Sequence, residues 1–258
     1  MAPSTFDEEL AFAHRVADRA AEIALELFLG EELEVRRKPD LTLVTRADTT
    51  IERMVREELA AAFPQDLVVG EEEGGTHVRS GRVWIVDPID GTAGFARGVP
   101  VWATLIALHV DGGGVLGLAN APALGERYVA VAGGGATMNG APIHVSQVAS
   151  VGEAHVLHGE LGELLRGPAR DGALALFEDA WRNRAFGDFW GHVLVARGAA
   201  EVMIEPELSL WDYAALEVIV REAGGRVSTF DGSPLAHGGS MVTSNGLVHD
   251  EVVARLTG

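Results

Sequence analysis

Two aspartates three positions apart, Asp87 and Asp90, close an apolar run in the stretch VWIVDPIDGT, residues 83–92. Pro88 between them fixes its own φ and has no amide hydrogen, so the chain turns where the apolar run ends. Both carboxylates can then face one small space, which is unfavourable unless a proton or a cation neutralises them. An all-oxygen acidic donor set suits a hard cation such as Mg²⁺. Gly91 lets the backbone come close to a ligand, and Thr92 adds a hydroxyl. A helical turn starting there would offer free amides to a phosphate oxygen. Taken by itself, the stretch reads equally well as a β-turn that uses Asp for its turn chemistry.

Other acids could join the pair. Glu71 and Glu72 follow the apolar stretch DLVVG, Asp48 lies at an expected helix start, and Asp212 opens the helical stretch WDYAAL. Plain N-capping is the competing explanation for Asp48 and Asp212. A solvated charge run is the competing one for Glu71–Glu73. All of them sit at strand ends or helix starts, where separate elements can bring side chains together.

The elements that must position these acids follow from hydrophobic periodicity. Helical spacing runs over 6–29, a short strand over 41–45, and a second helix from Asp48 to about Phe63, where Pro64 ends it. Thr49 and Glu52 are the expected capping box of that helix. Strands are expected at 66–70 and 82–87, a hairpin around DGGG at 111–114, and a second hairpin over 128–146. Beyond residue 150 the pattern alternates. It predicts a strand at 154–159, a helix over 162–182, another over 187–199 and a strand at 201–206. A helix over 209–225, two further strands and a helix from Leu247 complete it. This predicts an α+β half over 1–148, carrying most of the metal ligands, packed on an α/β half over 149–258.

Composition bounds the function. The chain has 258 residues, 47% of them hydrophobic, enough for one large core or two modest ones. The net charge of −18 supplies no basic surface for nucleic acid or anionic membrane. The chain has no cysteine, which excludes disulfides, thiolate chemistry and cysteine zinc sites. No run reaches the roughly 18 apolar residues of a membrane span, and the acidic start MAPSTFDEEL does not resemble a signal peptide. A soluble cytoplasmic protein is expected.

The segments GEE (70–72), WIVDPIDGT (84–92) and WDYAALEVIVREAGG (211–225), with DLTLVTRAD (40–48) and VTSNGLVHDEV near the C-terminus, resemble the signature motifs of the inositol-monophosphatase family. These are Mg²⁺-dependent, lithium-sensitive phosphatases, and the resemblance covers nearly the whole chain. It implies a layered αβαβα sugar-phosphatase-type fold, a homodimer and two or three Mg²⁺ ions per site. It also implies that Glu71, Asp87, Asp90, Asp212 and the Ile89 carbonyl ligate metal, and that Asp48 with Glu71 holds a weaker extra ion. Glu71 and Thr92 would orient and deprotonate the attacking water, and the Gly91 and Thr92 amides would hold the phosphate. Lys38, the only lysine in the chain, falls at a family lysine near the metals; an exposed loop residue is the plainer explanation. The implied reaction is direct in-line hydrolysis of a small phosphate monoester.

The stretch 184–212 bears on the substrate. Inositol-specific members carry small or hydroxylated residues where this chain has Gly187–Asp188–Phe189. Asp188 and Glu205 could pair with an ammonium and an imidazole N–H, and Phe189–Trp190 bring aromatic surface. The pattern GDFWGHVLVARGAAEVMIEPELSLWD is similar to the bacterial histidinol-phosphate branch of the family, which implies L-histidinol phosphate as substrate in histidine biosynthesis. Two positions depart from that branch: Ala93–Gly94 replace an expected lysine, and Tyr128–Val129 replace paired tryptophans. Core packing is the alternative for Phe189 and Trp190, N-capping for Asp188, and a core or surface place for His192. An inositol or broad sugar-phosphate phosphatase is the alternative enzyme. A non-catalytic acidic module that binds cations or a protein is the alternative from another class.

Overall fold

Helix α1 (Asp7–Leu27) buries Phe12, Ala13, Val16, Ala17, Ala20, Ala24 and Leu27, a stripe at three- and four-residue spacing. The structure is a computed structural model that describes residues 6–30, 33–39, 42–76 and 80–258. Strands β1 (Arg36–Arg37) and β2 (Leu43–Val44) form a short antiparallel ladder. The strand expected over 41–45 is reduced to β2, and Leu41 lies outside the described residues. Helix α2 (Arg46–Ala62) starts earlier than the periodicity predicted. Its capping box is Thr45 with Asp48, not Thr49 with Glu52, because Thr45 is the residue with extended backbone.

Strand β3 (Leu67–Gly70) runs parallel to β4 (Arg82–Asp90). After α3 (Thr92–Phe95) come β5 (Ala103–Val110), β6 (Gly113–Ala121), β7 (Glu126–Val131), β8 (Gly135–Met138) and β9 (Ala141–Ile143). They extend a seven-stranded sheet in the order β3-β4-β5-β6-β7-β8-β9, antiparallel from β4 onward. The second expected hairpin is therefore a three-stranded meander. β4 is buried on both faces, which is why its sequence is a continuous apolar run.

The second half begins with β10 (His155–His158), α4 (Leu161–Arg166) and α5 (Arg170–Asp179). The single helix expected over 162–182 is broken at Gly167–Pro168, and its last residue enters strand β11 (Arg182–Arg184). Then come α6 (Asp188–Ala196), β12 (Val202–Leu208), α7 (Leu210–Glu222), β13 (Arg226–Ser228), β14 (Gly239–Ser244) and α8 (His249–Thr257). The strands form a mixed sheet in the order β11-β10-β12-β14-β13.

Packing stacks these elements in five layers. Trp84 and Val86 of β4 face α1 and α2, meeting Phe12, Val16, Ile51 and Val55. Val83 and Ile85 alternate to the other face and meet Phe189 and Val193 of α6 and Leu216 and Ile219 of α7. Met241 of the second sheet joins that same core, so α6 and α7 lie between the sheets. On the far side, Leu176 of α5 and Val252 of α8 cover Val156 and Val242. The result is the αβαβα arrangement.

Candidate active site

In a regular strand Asp87 and Asp90, an odd number of residues apart, would point to opposite faces. The β4–β5 pairing shifts register between them, and this bulge turns both carboxylates to one side. Asp212, third residue of α7, meets them there. Each of Asp87, Asp90 and Asp212 offers a carboxylate oxygen, and the three oxygens lie within 4.8 Å of one another. The capping explanation for Asp212 also holds, since its Oδ2 accepts the Ser209 N–H at 2.6 Å. Asp87 Oδ1 accepts the Ile89 N–H at 3.0 Å, and Asp90 Oδ2 accepts the Phe189 N–H at 2.7 Å. Burial, reinforced by the charges of neighbouring acids, holds Asp87 and Asp90 well above the ordinary carboxylate range. Burial likewise pushes Asp212 to about 7. Hard oxygen donors this close and this dry fit a divalent cation.

Asp48 is fully buried one layer away. Its Oδ2 accepts the Thr45 N–H at 2.8 Å, and its Oδ1 accepts the Thr92 hydroxyl at 3.2 Å. Capping and placement at the site are thus compatible for Asp48. Burial raises its carboxyl to about 6. Thr92 Oγ1 also lies 2.8 Å from the Ile89 carbonyl oxygen. Gly91 has φ +86° and caps α3. A Cβ there would sit 3.0 Å from the Val101 carbonyl oxygen in a left-handed backbone, so the position calls for glycine.

Glu71 lies beside the aspartate trio rather than in it. Lys38 Nζ donates to Glu71 Oε1 at 2.8 Å and to Glu72 Oε1 at 2.7 Å, so Lys38 is not the free loop residue it could have been. Burial works against the Lys38 ammonium, but the two glutamates outweigh it and keep it protonated. Burial raises Glu72 to about 7. After burial itself, the Glu71 charge is the strongest influence on Asp87.

The second sheet supplies the other wall. Gly187, not Asp188, is the N-cap of α6, so the capping alternative for Asp188 does not hold. Asp188 has φ +54°, a left-handed conformation that costs a non-glycine residue about 1 kcal/mol or more. Its Oδ2 faces Gly91, 3.5 Å from where a Cβ would be. Glu205 is buried; its Oε1 accepts the Glu160 N–H at 3.1 Å, and its Oε2 has no partner. Burial pushes Glu205 to about 8. Phe189 corrects the aromatic-surface expectation: its ring is fully buried in the inter-sheet core, and only its amide reaches the site. Trp190 is half-buried against Phe186 at 5.0 Å between ring centroids. His192 is a core residue, its Nδ1 2.7 Å from Thr243 Oγ1, and burial takes it down to about 3.

Three residues of the site escaped sequence reasoning. Glu160 follows β10 as Glu71 follows β3, and its charge bears on both Asp188 and Glu205; a strand-end acid was the available signal. Gly159 makes room for Glu205, because a Cβ there would overlap both carboxylate oxygens. Glu52 was read as a capping residue and instead lies under the Glu71 turn. A groove of about 990 Å³ on the outer side of the five-stranded sheet, lined by Leu164, Pro168, Pro206, Phe230 and Leu256, contains none of the candidate residues.

Comparison with known proteins bears on the same residues. A model of the inositol monophosphatase family matches residues 6–257. A Mycobacterium tuberculosis protein named histidinol-phosphatase is 47% identical, with 96% of this chain and 98% of that relative aligned. A Streptomyces coelicolor histidinol-phosphatase is 44% identical over 96% of this chain and 97% of its own. Among solved structures, a Thermotoga maritima IMPase superposes with a TM-score of 0.87 at 30% identity, covering 96% of each chain.

Proposed function

This chain belongs to the inositol monophosphatase family, and from that premise we propose that it hydrolyses L-histidinol phosphate to L-histidinol and phosphate with Mg²⁺. The observation that carries the substrate is the wall opposite the aspartate trio. Asp188 is held in a costly backbone conformation without serving as a cap, and Glu205 is buried with one oxygen unpartnered. Burying carboxylates there is unfavourable unless a cation meets them. An alcohol bearing an ammonium and an imidazole N–H supplies such a partner, whereas a neutral polyol does not. The two relatives named histidinol-phosphatase support the same substrate.

In this scheme Asp87, Asp90, Asp212, Glu71 and the Ile89 carbonyl would hold two Mg²⁺ ions, and Asp48 with Glu71 would hold a third, weaker one. Mg²⁺ bound there would supply charge neutralisation for the phosphate dianion, a more acidic water and stabilisation of the departing alkoxide, which leaves as the alcohol on taking a proton from solvent. Thr92 directs its hydroxyl hydrogen to the Ile89 carbonyl or to Asp48, at 2.8 and 3.2 Å. Its lone pairs are then free to accept a hydrogen from the attacking water, and Glu71 takes the proton. The amides of Gly91 and Thr92 hold the phosphate, and Lys38 restrains Glu71. Asp188 and Glu205 orient the alcohol so that the ester oxygen lies in line with attack. A homodimer, lithium inhibition, a cytoplasmic location and a division of the chain near residue 148 belong to the same proposal.

The test is phosphate release with Mg²⁺, comparing kcat/KM for L-histidinol phosphate and myo-inositol 1-phosphate. A preference of about a hundredfold for histidinol phosphate, about 2.7 kcal/mol, is expected. Equal rates, or a preference for inositol phosphate, would leave the metal chemistry and remove the assigned substrate.

A further inference from the structure

The turn that carries Glu71 is gripped from beneath by a carboxylate that the reaction scheme does not use. Glu52, on α2, is fully buried. Its Oε2 accepts the Glu72 N–H at 2.7 Å, and its Oε1 accepts the Glu73 N–H at 3.0 Å. One helical turn on, Arg56 donates Nε and Nη2 to Glu52 Oε1 at 2.9 and 2.8 Å. The same Nη2 reaches the Gly74 carbonyl oxygen at 2.5 Å. Gly70 and Gly74 close the turn through a backbone hydrogen bond of 3.0 Å. Gly70 also makes the grip possible, because a Cβ there would overlap the Glu52 carboxylate. This part-buried ion pair thus binds residues 72–74 of the turn to α2.

The same helix carries Asp48 exactly one turn before Glu52, so Asp48, Glu52 and Arg56 share a face at four-residue spacing. The turn itself places Glu71 beside Asp48 and Asp87, and Glu72 beside Asp48. Mutual repulsion drives such a turn outward unless something holds it. We infer that the Glu52–Arg56 pair is a positioning clamp that fixes Glu71 opposite Asp87 and so sets the cation affinity of the site without touching a cation. This inference rests on the metal-side role proposed for Glu71.

The experiment is calorimetric titration of substrate-free protein with Mg²⁺, run on wild type, Glu52→Gln, Arg56→Gln and Glu71→Gln, with the melting temperature of each in chelator. Glu52→Gln is expected to weaken Mg²⁺ binding by about tenfold or more, within the range that supporting residues around metal ligands show. Arg56→Gln keeps the amide contacts of Glu52 and is expected to weaken binding in the same direction by a smaller factor. Mg²⁺ affinity unchanged in Glu52→Gln, with only a lower melting temperature, would reduce the pair to a stabilising role and overturn the inference. If Glu52→Gln does not fold, Arg56→Gln decides, and unaltered Mg²⁺ binding in it overturns the inference too. Glu71→Gln separates the two levels. If it leaves Mg²⁺ binding intact, the proposed metal site itself fails; if it weakens binding while both clamp variants do not, only the clamp fails.

Discussion

Replacing Glu205 by Gln should make the metal-free protein more stable in alkali and leave it unchanged in mild acid. Glu205 is buried behind Gly159, its Oε1 holds the Glu160 N–H, and its Oε2 has no partner. Burial, with Asp188, Glu160 and Asp212 near, keeps its proton until about pH 8, whereas the unfolded chain releases it near 4.5. The folded state therefore binds more protons between those values. Stability from this group is fully present below pH 4.5 and is lost as pH rises through 8. At 1.36 kcal/mol per pH unit the whole effect has an upper bound of about 5 kcal/mol. Gln keeps the acceptor for Glu160 and carries no charge to desolvate, so it escapes the loss. Urea unfolding in EDTA at pH 5, 7 and 9 measures this directly. The stability of Glu205→Gln minus that of wild type should be near zero at pH 5 and reach about 2 kcal/mol or more at pH 9. Buried acids that do not face Glu205 act on both proteins and cancel in that difference. A difference that stays constant with pH would refute the reasoning, since Glu205 would then be ionised in the fold at no cost.

Asp90→Asn should lower turnover at least about a hundredfold without lowering the melting temperature in EDTA. It removes a repelled charge, and the amide oxygen can still accept the Phe189 N–H; near-normal phosphate release would take Asp90 out of the site. Asp188→Ala should cut kcat/KM for histidinol phosphate by about thirtyfold or more while sparing an aryl phosphate, and equal losses on both would assign Asp188 to structure alone. Gly159→Ala should displace the Glu205 carboxylate and erase the preference for histidinol phosphate over inositol phosphate, as ratios of kcat/KM would show; a preserved ratio would mean Glu205 does not read the substrate. Mg²⁺ should raise the melting temperature of wild type, and chelation should abolish phosphate release; a chelator-insensitive rate would exclude the metal scheme.

Much of the arrangement was legible because local chemistry and tertiary placement agree. The apolar run ending in Asp87 reads as a strand, and β4 is one, buried on both faces. Helix α7 and its acid Asp212 were visible from amphipathic spacing. Where local signals are nearly degenerate, the sequence misled. Thr49–Glu52 and Thr45–Asp48 both satisfy the spacing of a capping box, and only the extended backbone at Thr45 selects the second. N-capping was the competing explanation for Asp188, yet Gly187 takes that place. Phe189 looked like pocket surface because an aromatic beside an acid gives no hint of which way its ring turns.

The sequence by itself determined the chemistry available: carboxylates at strand ends and helix starts, a glycine and a hydroxyl after the second aspartate, one lysine, and an acidic residue where the family's inositol-specific members have small ones. Tertiary structure decided which of these meet. A bulge in β4 brings Asp87 and Asp90 to one side, α7 delivers Asp212 from more than a hundred residues away, and a missing side chain at Gly159 lets Glu205 in. Glu52, one helical turn beyond Asp48 and outside every motif, became a support for the Glu71 turn. Such contacts join elements distant in sequence, and no local spacing encodes them, because burial and repulsion act between residues that are neighbours in space alone.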